Sequence, residues 1–135
     1  MSAEVQKAPI VLKVLAGVLV LLGVFAGLGS LFLWGQGFLF AFPRDVQLAS
    51  PVADFFINFP LSVLAGLGLW RMKMVGYIAA QFVAGFYIYA SVLIFVEMFQ
   101  GELPLNPEIW APQLLAVIIA LVLVFGLWPL RDRFV

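Results

Sequence analysis

The residues with usable chemistry are few, and most of them sit near the ends of apolar runs. Asp54 and Asn58 are four apart, which places both on one face of a helix. With Glu97 they form a candidate polar cluster of two carboxylates and an amide, able to receive a cation, a polar head group or a partner's loop. Gln36, Gln113 and Arg44 are candidate neighbours. A second set is Tyr77 and Gln81, one helical turn apart, with Tyr87 and Ser91 on a different face of the same run. Hydroxyl and amide donors at that depth suit the carbonyls of a quinone, pigment or lipid, although a glutamine there also commonly bonds a neighbouring helix.

Much ordinary chemistry is absent. The chain has neither cysteine nor histidine, which removes disulfides, thiolate nucleophiles, His-ligated haem and the usual general base. No nucleophile–base pair, phosphate-binding loop or metal-ligand spacing occurs, so no metal and no resident cofactor is expected and the chain is not read as an enzyme. Seven basic and seven acidic residues leave no basic face for nucleic acid.

The elements that must carry these groups are apolar. The 135 residues are 65% hydrophobic and 10% charged, with a mean hydropathy of +1.17, far from the ~25% charged of a soluble domain. The pattern predicts one all-α domain over residues 1–135: a polytopic four-helix transmembrane bundle with helices near 10–34, 51–70, 74–99 and 110–128. The first run is too long for a secretory signal and is read as a retained helix. Residues 38–42 (Phe-Leu-Phe-Ala-Phe) are apolar but too short to span, and suit the interface. Ser50-Pro51 reads as a helix start, and Pro60 as a kink in the second helix.

Trp34, Trp70, Trp110 and Trp128 stand where apolar runs meet polar segments, as interfacial anchors do. With both termini on one side, that side holds Lys7, Lys13, Arg71, Lys73, Arg131 and Arg133, and the other holds Arg44 alone. The positive-inside rule then puts both termini in the cytoplasm. Each helix carries a stripe of small residues for close approach: Gly23 and Gly27; Ser62 and Gly66; Gly76, Ala80 and Ala84; Ala116 and Ala120. The stripes hold the bundle together or bind a second copy. Gly68-Leu69-Trp70 and Gly126-Leu127-Trp128 echo each other, each with a cation three residues after the tryptophan.

Gly66-Leu67-Gly68-Leu69-Trp70 running into Arg71, Lys73 and Gly76, after a glycine-rich first helix, resembles the small bacterial four-helix DoxX-like membrane proteins. The resemblance covers the whole chain as layout and about ten residues as motif. It implies an accessory membrane subunit, in some cases beside respiratory or quinone-linked complexes, in a bacterial cytoplasmic membrane.

Three functions are thus expected, in descending order. The first is an accessory or structural subunit packed with itself or with a larger membrane complex. The second is a small oligomeric transporter or channel with an Asp54/Asn58/Glu97 mouth. The third is a quinone-, pigment- or lipid-binding module.

Overall fold

A computed structural model describes residues 8–37 and 51–135. The expected interfacial segment 38–42, the Ser50 cap, Arg44 and Lys7 lie outside the described residues. Among the described residues four helices are long and apolar enough to cross a membrane: α1 (Ile10–Gly35), α2 (Pro51–Trp70), α3 (Met74–Gln100) and α4 (Pro107–Gly126). Consecutive helices make the main interfaces, α1 on α2, α2 on α3 and α3 on α4. The expected small residues hold them close. Gly23 and Gly27 of α1 face Ser62 and Phe59, Gly66 faces the backbone of Ala16, and Gly76 crosses Gly68, a glycine outside the expected stripes, backbone to backbone. Ala80 and Ala84 are fully buried on α3.

The α2–α3 hairpin closes in three residues through a Schellman motif. The Lys73 N–H donates to the Gly68 carbonyl at 2.8 Å and the Met72 N–H to that of Leu69 at 3.1 Å. Met72 takes the left-handed position (φ 53°) that usually falls to glycine. Burial of its side chain offsets that cost, about 1 kcal/mol. At the end of α3 the same motif uses Gly101 (φ 80°), with Glu102 N–H on the Glu97 carbonyl at 3.0 Å.

Both even-numbered helices contain a wide turn ahead of a proline. In α2 it spans Asp54–Asn58, with the Phe59 N–H reaching back five residues to the Asp54 carbonyl. Pro60 has no N–H, so the ladder is already interrupted there, and the π turn is the form that the expected kink takes. In α4 the wide turn is Val122–Gly126, ahead of Pro129.

The fourth helix departs from its expected bounds of 110–128. It starts at Pro107, because Asn106 Oδ1 accepts the Glu108 N–H at 3.3 Å and caps it. It ends before Trp128, where a tighter 3-10 turn, Trp128–Arg133, leads away. Phe134 and Val135 then clasp the α2–α3 hairpin. The Val135 N–H donates to the Met72 carbonyl at 3.0 Å, and the Val135 carbonyl accepts the Met74 N–H at 3.1 Å, satisfying a donor in the first turn of α3. The Phe134 ring is buried against Tyr77, with centroids 5.4 Å apart.

Lys13 and Arg131 gather at the same end as the hairpin. Lys13 Nζ lies 5.8 Å from the Trp70 ring and the Arg131 guanidinium 4.7 Å from that of Trp128. Both cations thus rest on the aromatic residues expected to mark that boundary.

Candidate functional site

Because α1 and α4 pack on α2 and α3 rather than closely on each other, a cleft of about 270 Å³ opens between them. Leu22, Phe25 and Ala26 of α1 form one wall, and Pro112, Leu115, Ala116 and Ile119 of α4 the other. Asp54 and Asn58 of α2 and Tyr87 of α3 are its polar groups.

Those polar groups are organised along α2. Ser62 Oγ donates to Asn58 Oδ1 at 2.9 Å, and Asn58 Nδ2 donates to Asp54 Oδ1 at 2.9 Å. Ser62 and Asn58 are buried while Asp54 is half-buried, and Tyr87 lines the same cleft as Asp54 and Asn58. At 1.5 Å per residue the three α2 residues lie about 4, 10 and 16 Å along the helix from Pro51. A buried polar row of this kind needs every member bonded, and Asn58, in its middle, uses both ends of its amide.

The structure therefore brings together two of the three residues in the expected cluster. Glu97 is ten residues beyond Tyr87, about 15 Å along α3, and does not line the cleft. One of its carboxylate oxygens, Oε2, is buried with no hydrogen-bond partner among the described residues. Gln113 instead accepts from Ser91 Oγ, through its backbone carbonyl at 3.2 Å and its side-chain Oε1 at 3.3 Å. Gln36 is exposed in the turn after α1.

The second expected set is occupied internally. Gln81 Nε2 donates to the Leu123 carbonyl at 3.1 Å, inside the wide turn of α4. A π turn tilts carbonyls away from the helical ladder, and a side-chain amide from the next helix is a suitable partner for one. Tyr77 packs on Phe134. Neither residue lines the cleft.

Phe25 and Pro112 are parts of the cleft that spacing alone did not bring forward, while Tyr87, expected beside the second set, lines it with Asp54 and Asn58 instead. Ser62 was legible in principle, since it extends the Asp54–Asn58 stripe by another four residues. Among the described residues no group of His, Cys, Asp and Glu could hold a metal ion. A smaller pocket of about 100 Å³ lies between the start of α1 and the end of α4, lined by apolar residues including Leu12, Leu15 and Leu127. No family model, curated protein or solved structure matches the chain.

Proposed function

We propose that this chain is a multi-pass integral membrane protein that holds a lipid-like amphiphile in the cleft between α1 and α4. Both termini face the cytoplasm, as the Lys/Arg bias directs, and a bacterial cytoplasmic membrane is the expected setting. The observation that carries the reading is the combination of apolar walls from two separate helices with a short polar row between them. Such a cleft suits a molecule with one polar end and one apolar end, entering sideways from the bilayer. Binding rather than chemistry is what one carboxylate, one amide and one phenol support.

Dodecanol is a direct probe, with occupancy read by native mass spectrometry from a nonionic micelle. One molecule per chain is expected on the unaltered protein. Ala116→Trp puts an indole into the cleft and is expected to abolish that occupancy while the protein stays helical by circular dichroism. Equal occupancy in the two proteins would remove this reading.

The accessory-subunit reading is favoured by a different observation. The most apolar window of α4 is only 11% buried, against 28–33% for the other three helices, leaving room on it for a partner helix. Mild solubilisation from the native membrane followed by native electrophoresis then yields a complex larger than the chain alone. Migration as a single small particle counts against it.

A further inference from the structure

The polar row in the cleft has a direction. Ser62 has one proton and gives it to Asn58 Oδ1, and the Asn58 amide gives one of its own to Asp54 Oδ1. Turning the amide over would set its oxygen against the carboxylate, so the order is fixed by Asp54. Protons along the row therefore point towards Asp54, and the row ends on an acceptor. Asp54 Oδ2 has no hydrogen-bond partner among the described residues, and Asp54 forms part of the cleft wall. Among the described residues the cleft lining contains no lysine or arginine.

The guest is selected by that terminus. An ester or ketone oxygen would meet a carboxylate oxygen, and an anionic head would meet it at greater cost. A donor is needed, and a cation best offsets the expense of a carboxylate at membrane depth. The Phe25 ring in the α1 wall, largely exposed, adds apolar surface for the chain behind that head. The volume, about 270 Å³, admits a head group and the first carbons of an alkyl chain.

We propose that the cleft takes the primary ammonium head of a single-chain amphiphile, with Asp54 as its counter-ion and the alkyl chain lying between α1 and α4. This rests on the cleft-binding reading above. Three twelve-carbon probes differing only in their head group separate the two ideas: dodecylamine, dodecanol and dodecanoic acid at pH 7, each measured against the cleft-filled Ala116→Trp protein as background.

Dodecylammonium is expected to bind about tenfold or more tightly than dodecanol, the factor of one charge-assisted hydrogen bond, and dodecanoate not above background. Asp54→Asn keeps an acceptor for Asn58 and removes the charge, so it should bring dodecylammonium to the level of dodecanol. Equal binding of all three probes, each lost in Ala116→Trp, would overturn the ammonium assignment and leave the cleft reading standing. Binding of none above background would overturn both. A dodecylammonium preference that survives Asp54→Asn would overturn the role given to Asp54.

Discussion

Gly76→Val is expected to destroy the native packing of α2 against α3, with a loss of more than about 3 kcal/mol. At the crossing the Gly68 and Gly76 backbones are in direct contact, so a Cβ on Gly76 would overlap the backbone of Gly68 and Leu69. Main-chain atoms inside a helix cannot swing aside as a side-chain tip can. The helices must separate instead, and in lipid it is close packing of this kind that holds helices together. Even Gly76→Ala should be severe. Gly85→Ala, nine residues along the same helix, is the internal control. Nothing lies within 4 Å of the position its Cβ would take, and alanine is the better helix former by about 1 kcal/mol. Thermal unfolding in a nonionic detergent should show the first two variants falling and the third holding or rising. Similar midpoints for Gly76→Ala and Gly85→Ala would mean that the crossing is looser than described.

The next largest effect is expected from Phe134→Ala, at about 3 kcal/mol, the lower end for a buried phenylalanine. The ring is 5% exposed and belongs to the same buried cluster as Leu12, Leu69, Met72 and Leu127, residues drawn from three helix ends. Truncating it leaves a void where those ends meet and frees the adjoining Val135 bonds to Met72 and Met74. The two effects have separate readouts. The unfolding midpoint should fall, and the Met74 amide should lose protection from hydrogen exchange well before the middle of α3 does. Phe134→Leu, which keeps most of the apolar volume, should retain most of both. If Phe134→Ala leaves Met74 protected, the clasp is held by the backbone alone.

Helix number and approximate extent were legible because four long apolar runs admit little else. Most small-residue positions were legible too, since Gly66, Gly76, Gly23 and Gly27 allow helix approaches that larger residues forbid; Gly68, which crosses Gly76, stood outside the expected stripes. The Met72 turn was not. A left-handed residue is signalled by glycine, as at Gly101, and here packing against the rest of the chain compensates a methionine instead. The π turns were half legible: Pro60 announced a break, but not the wide turn that absorbs it one turn earlier.

For the candidate site, the four-residue spacing of Asp54 and Asn58 gave their pairing, because one helix determines it. Glu97 and Tyr87 both lie on α3, and which of them meets Asp54 depends on how far α3 is slid along α2. The Gly68–Gly76 crossing sets that register, and its geometry is a matter of three dimensions. Gln81 had a donor to place within a long apolar helix, but its partner is the Leu123 carbonyl. A backbone acceptor exposed by a neighbour's irregular turn leaves no mark in residue type.

The row-like order of the helices has a bearing on how the molecule is made. Each main interface joins a helix to the one synthesised just before it, so the pairings are local in the chain and the loops to be closed are short. Every helix after the first therefore emerges from the ribosome to find its partner already in place. At about 5–20 residues per second, the interval between one helix and the next is on the order of seconds, ample time for a two-helix unit to settle. The cleft obeys a different schedule. One wall is the first helix and the other the last, so the binding site comes into being only when α4 arrives, and a chain halted after α3 would be packed yet empty-handed.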